Sequence, residues 1–140
     1  MSLAPAERDG FKQFAAALRQ GVDLHGIAAD RFLSPAFKAT HPEAVRAVTS
    51  WLDASPPASL AAELEAFAAA PDLEAAVAAL TIPVVARTGE LDVACPPPKA
   101  RAIVGAARKG ALEIVPGAGH ALMFEDLAGT TASVVRALAQ

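Results

Sequence analysis

Only two stretches of this chain read as β-strands, and a single helix separates them. The first is Ile82-Pro83-Val84-Val85-Ala86-Arg87, a β-branched run closed by Thr88-Gly89. Its proline sits at the entry, where a missing N–H is tolerated. The second is Leu112 to Val115, ended by Pro116-Gly117. Between them Pro96-Pro97-Pro98 opens a helix with Ile103, Val104 and Ala107 on its inner face, and Gly110 stops it. Strand, helix and strand with so short a crossover make a βαβ unit, which predicts parallel strands and a right-handed connection. Parallel strands are normally covered on both faces and paired on both edges. Two of them are therefore an incomplete sheet, and the expectation is that another polypeptide segment or a second copy completes it.

The preceding 80 residues carry helical spacing only. Phe11, Phe14, Ala15 and Leu18 recur on one helix face, and Gly21 follows as a stop. A short helix is predicted from Leu24 to Leu33, before Ser34-Pro35. Thr40 and Glu43 have capping-box spacing ahead of a helix carrying Val45, Val48, Trp51 and Leu52. Pro56-Pro57 ends that run. Leu60, Leu64 and Phe67 mark the next helix, and Asp72 can cap a last one through Leu80. Beyond the second strand, Glu125 and Asp126 favour a helix start, with Leu127, Val134, Val135 and Leu138 along one face. The reading is an α/β chain divided into a helical region, 1–80, and a βαβα region, 81–140.

Composition excludes several functions. The net charge is −3, and the acidic excess lies in the first 80 residues without runs, so there is no basic stripe for nucleic acid. One cysteine permits neither an intrachain disulfide nor a multi-cysteine metal site. No stretch has the roughly 18 apolar residues of a membrane span. The early residues Glu7, Arg8, Asp9 and Lys12 interrupt any signal-peptide profile, so a soluble cytoplasmic protein is expected. The chain holds 36 alanines against six Phe, one Trp and no Tyr, which predicts a thin, helix-dominated core.

In open α/β sheets, chemistry collects beyond the carboxyl ends of the strands. The two loops there read Thr88-Gly89-Glu90-Leu91-Asp92-Val93-Ala94-Cys95-Pro96 and Pro116-Gly117-Ala118-Gly119-His120. Neighbouring parallel strands put both loops at one sheet edge. An Asp there can accept the Nδ1–H of a His and leave Nε2 free as a base. The segment Gly89, Asp92, Pro96 resembles the acid loop of α/β-hydrolases, and Pro116 to His120 resembles their histidine loop. Residues 81–140 thus look like the C-terminal part of that fold. The helical region, with Phe32-Leu33-Ser34-Pro35-Ala36-Phe37 and His41-Pro42-Glu43, is similar to the cap of 3-oxoadipate enol-lactonases. The resemblance implies an incomplete α/β-hydrolase, a cap followed by βαβα, acting on a small-molecule ester or lactone. It assigns Asp92 and His120 to a Ser-His-Asp triad and calls for no metal and no organic cofactor.

The nucleophile is missing. No Gly-x-Ser-x-Gly occurs, and Ser34, Ser50, Ser55, Ser59 and Ser133 fall in predicted helices or their caps. The oxyanion hole depends on the same elbow, so the chain by itself is expected to hydrolyse nothing. It would pair with an N-terminal half or self-associate. A non-catalytic, self-associating module derived from a hydrolase is the alternative. Cys95 reads as an inert thiol outside any elbow, and His25 and His41 as surface or capping residues. Trp51 lies on an apolar helix face, as core or, under the resemblance, as a wall of the substrate pocket. Met123 and Phe124 flank the pocket mouth or pack the last helix. Arg8, Arg19 and Arg31 are the cations that could meet an acidic lactone.

Overall fold

Proline at the first helical position recurs through this fold. The computed structural model describes residues 3–139. Its helices are α1 (Pro5–Arg19), α2 (His25–Phe32), α3 (Pro35–Thr40), α4 (Pro42–Asp53), α5 (Pro57–Ala69) and α6 (Glu74–Ala79). Strand β1 (Val84–Gly89), helix α7 (Pro97–Ala106), strand β2 (Gly110–Val115) and helices α8 (Leu122–Glu125) and α9 (Leu127–Leu138) follow. Five helices begin on proline, at Pro5, Pro35, Pro42, Pro57 and Pro97. At that position the missing N–H is one the helix could not use, and the fixed φ is already helical.

β1 and β2 pair in parallel, in register from Val84 opposite Gly110 to Gly89 opposite Val115, as the short crossover requires. The strands run later and earlier than the side-chain pattern suggests. β1 starts at Val84 and reaches Gly89, and β2 starts at Gly110. Gly110 is therefore a strand residue packed on the Val104 backbone of α7, with no room for a Cβ.

Two further differences are local. Thr40 does not open α4 with a capping box. Residues 35–40 form their own helix, capped by the Ser34 hydroxyl, which accepts from the Phe37 N–H. Thr40 is its last residue, its hydroxyl within reach of the Ala36 and Phe37 carbonyls, and His41 takes the N-cap position of α4. The last helix is split as well. α8 is one turn, and Asp126 then caps α9 by accepting the Gly129 N–H at 3.1 Å.

The core is thin, as the alanine content predicts. Nine of the thirteen buried apolar residues among those described are alanine. One cluster, Ala15, Leu18 and Ala61 with Leu24, Leu60 and Leu64 against it, joins α1 to α5. The other centres on Leu33 and Val48, joining α2 and α4 to Ala121 beside the histidine loop. Ion pairs supplement this packing where α9 meets the sheet. Arg87 of β1 pairs with Glu113, its register partner on β2, at 2.5 Å and also with Asp126, while Arg136 of α9 reaches Glu113 at 2.8 Å. Arg136 and then Arg87 hold the Glu113 carboxyl below its ordinary pKa, against desolvation. The apolar stripe of α9 is uncovered: Leu127, Val134, Val135 and Leu138 are all exposed. Among the described residues no helix is long and apolar enough to cross a membrane.

His25 ties the start of α2 to the end of α4. Its Nδ1 meets Asp23 and its Nε2 meets Asp53 at 2.8 Å. These carboxylates raise the imidazole pKa, Asp23 first and Asp53 next. A folded-state pKa above the unfolded value gives stability that is complete below the unfolded pKa and is lost as pH rises through the folded one. Asp53→Asn is therefore expected to lower the His25 pKa in an NMR titration and to weaken this pH dependence. An unchanged titration would show that the α2–α4 bridge does not form in solution.

Candidate active site

Because β1 and β2 are parallel and in register, their carboxyl ends deliver loops 90–96 and 116–121 side by side. Backbone bonds stitch the loops together. Glu90 N–H donates to the Val115 carbonyl at 2.9 Å, and Leu91 N–H donates to that of Ala118 at 2.8 Å. The Glu90 carboxylate accepts the Gly117 N–H at 2.9 Å. Gly117 turns at φ +68°, a left-handed conformation that suits glycine. Gly89 lies directly against the carbonyls of Ala118 and Gly119, where a side chain would collide with backbone.

This contact brings Asp92 and His120 together. Asp92 Oδ2 lies 2.8 Å from His120 Nδ1. Its Oδ1 accepts the N–H groups of Ala94 at 2.8 Å and Cys95 at 2.7 Å, and the Thr88 hydroxyl stands 3.2 Å from Oδ2. The carboxylate is 5% exposed as a residue and is surrounded by donors. The imidazole side chain is 37% exposed. A carboxylate against Nδ1 selects the tautomer with hydrogen on Nδ1, so the lone pair is on Nε2. Nε2 forms no hydrogen bond among the described residues. The arrangement can orient an imidazole and present Nε2 to accept a proton.

The helical region closes on this loop. Ala121 N–H donates to the Phe32 carbonyl at 2.8 Å, and the Phe32 ring lies 5.3 Å from that of His120, centroid to centroid. Trp51 of α4 packs on Phe124 at 5.6 Å while remaining 47% exposed, and Met123 is exposed beside it. Trp51 is therefore a surface residue against the end of the histidine loop, outside the buried core. Arg8 donates to the carbonyls of Ala68 and Ala70 at the end of α5, and Arg19 pairs with Glu65, so both cations have structural partners. Burial first, and the Asp92 charge second, push the Cys95 thiol above its ordinary pKa, which opposes thiolate chemistry. An open groove of about 630 Å³ lies between α3 and the base of the histidine loop, lined by Phe37, Thr40, Pro116 and Glu125, and includes neither Asp92 nor His120. No group of three or more His, Cys, Asp or Glu among the described residues could hold a metal ion.

The sequence reading missed two contributors. Thr88 gives no signal as a loop-supporting hydroxyl, since its partner is set by the turn. Glu90 bonds across to Gly117, a contact that only the pairing of the two loops creates.

Gly89→Ala is expected to force the loops apart and to cost about 1–3 kcal/mol, as overpacking does. Gly105→Ala has no close neighbour in α7 and should be neutral or stabilising by about 0.5–1 kcal/mol. Urea denaturation of both variants checks the pair, and equal midpoints would contradict the close approach at residue 89.

No protein-family model matches this chain, and no curated protein matches it in sequence. Solved structures do. A thermophilic esterase from Thermogutta terrifontis superposes with a TM-score of 0.86 at 21% identity, over 98% of this chain and 51% of the esterase. An enol-lactonase from Burkholderia xenovorans LB400 gives 0.84 at 20% identity, over 91% of this chain and 49% of its own. A hydrolase from Pseudomonas aeruginosa PA01 gives 0.85 at 22% identity, over 99% and 52%. The chain spans about half the length of the structures it matches, and its fold is that of part of an α/β-hydrolase.

Proposed function

We propose that this chain is the acid- and base-bearing portion of an α/β-hydrolase acting on a small ester or lactone, with the nucleophile supplied by a segment outside it. The observation that carries this reading is the 2.8 Å contact between buried Asp92 and half-exposed His120, beyond the carboxyl ends of paired parallel strands. The esterase and enol-lactonase among the similar structures favour ester or lactone substrates.

In the assembled site a serine hydroxyl from the missing segment attacks the substrate carbonyl. His120 Nε2 takes the hydroxyl proton, and Asp92 holds Nδ1–H and stabilises the imidazolium. The imidazolium then protonates the departing alkoxide oxygen, leaving an acyl-enzyme. Water then attacks the acyl carbon, giving its proton to Nε2, and the imidazolium returns that proton to the serine oxygen as the acyl–serine bond breaks and the acid leaves. Trp51, Met123 and Phe124 form an apolar wall beside His120 that accepts the organic part of the substrate. Of Arg8, Arg19 and Arg31, the first two have structural partners, which leaves Arg31 as the one of the three to meet an acidic group. The chemistry uses neither metal nor organic cofactor. Residues 1–80 act as the cap and residues 81–140 as the core portion.

The purified chain alone is expected to show no turnover of an activated ester. Joining it to a segment that supplies strands and a Gly-x-Ser-x-Gly elbow should create turnover, and Asp92→Asn in that assembly should lower kcat by about 10⁴-fold. Full activity with His120→Ala would defeat the proposal.

The uncovered α9 stripe and the two open strand edges favour a second reading, self-association without catalysis. An unpaired strand edge is a ready template for another chain. Size-exclusion chromatography with light scattering is expected to find the isolated chain in oligomers. Oligomers that persist when the completing segment is present would favour this second reading, and a monodisperse monomer would remove it.

A further inference from the structure

We infer that the corner between α2 and α3 positions the imidazole of His120, with Phe32 and Glu125 as its positioning residues. This rests on the reading of His120 as a base and adds a role for the helical region other than walling the pocket. Residues 32–34 are joined to residues 119–125 at four points. The Phe32 carbonyl accepts the Ala121 N–H at 2.8 Å. The Glu125 carboxylate accepts the Ser34 N–H at 2.7 Å. Gly119 lies against the backbone of Leu33 and Ser34, with no room for a side chain. The Phe32 ring leans on the imidazole at 35° between planes.

The backbone at this corner is buried. Leu33 is 2% exposed and Ser34 3%. Ser34 precedes α3 as its N-cap, so the helix makes no use of its N–H, and Glu125 supplies the acceptor. Losing that acceptor would leave a buried donor unpaired. The imidazole is then fixed from two sides: Asp92 holds Nδ1, and Phe32 limits rotation of the ring about that bond. A displacement of the α2–α3 corner therefore moves the base.

Proton NMR of the chain tests this. Hydrogen-bonded to Asp92, the Nδ1 proton of His120 should resonate downfield and exchange slowly with water. Phe32→Leu keeps the backbone bond of residue 32 and removes the ring. Glu125→Ala removes the acceptor, and Glu125→Gln restores an oxygen that can accept. The first two are expected to speed exchange of the Nδ1 proton by roughly tenfold, a local opening, and Glu125→Gln to leave it near the original rate. The amides that pair β1 with β2 serve as a reference. If they too exchange faster in Glu125→Ala, that variant has lost its fold, and Phe32→Leu decides. A wild-type resonance indifferent to the substitutions, with the strands intact, overturns this inference and leaves the Asp92–His120 pair standing. Absence of the resonance from the wild-type chain overturns both.

Discussion

The parallel register of β1 and β2 is the constraint on which the site depends. With Gly89 opposite Val115, the two loops leave the sheet at the same level, and Glu90, Leu91 and Gly117 can bond across the gap. A slip of one residue would turn the inward side chains outward and carry Asp92 away from His120. The charged pair Arg87–Glu113 works in the same direction. These residues are register partners, and any other pairing would separate them. Arg87 also reaches Asp126, the residue that caps α9. One side chain thus ties both strands to the final helix, in a protein whose alanine-rich core offers little apolar area for that purpose.

What could be read from the sequence follows from the range of the interactions involved. The two strands, the crossover helix and the loops that carry Asp92 and His120 are written locally, in β-branched runs closed by glycine and proline. Their meeting follows from parallel pairing, which short connections impose. The helices α3 and α8 span six and four residues, too few for a periodic pattern, and unlike the equally short α6, which Asp72 marks, they are not announced by a cap read in the sequence. The Thr40–Glu43 spacing was misleading for the same reason, since a short helix had already taken Thr40. Glu90 and Glu125 owe their roles to partners 27 and 91 positions away, and no local pattern marks such acceptors. Leu127, Val134, Val135 and Leu138 do form the expected helix face, but the pattern could not say that nothing among the described residues covers it.

The helical region and the strand region meet at the histidine loop and where α6 packs on α7. Val48 and Leu33, from α4 and the end of α2, share a buried cluster with Ala121. Phe32 and Ser34 bond to the same loop. By contrast α1 and α5 pack mainly on each other through Ala15, Leu18 and Ala61. The helices nearest the imidazole are therefore those with the most to do with its placement, and the α1–α5 pair touches them through Leu24. The contact between Lys99 of α7 and Glu7 of α1 adds one charged tie at the far end.

In the proposed function the relay is divided between polypeptide segments, an arrangement favoured when each part is ordered before they meet. Ordering side chains during assembly would cost conformational entropy at every encounter. Asp92 avoids that cost, because Ala94, Cys95 and Thr88 occupy its remaining acceptor positions whether or not a nucleophile is present. His120 has its Nδ1 on the carboxylate and its face on Phe32, which leaves Nε2 as the one site for a new partner. Among the described residues these restraints arise within β1, the loops that follow β1 and β2, and the α2–α3 corner. The unpaired sheet edges and the bare face of α9 lie elsewhere, so under the proposed function a segment docking there would leave Asp92 and His120 as they stand.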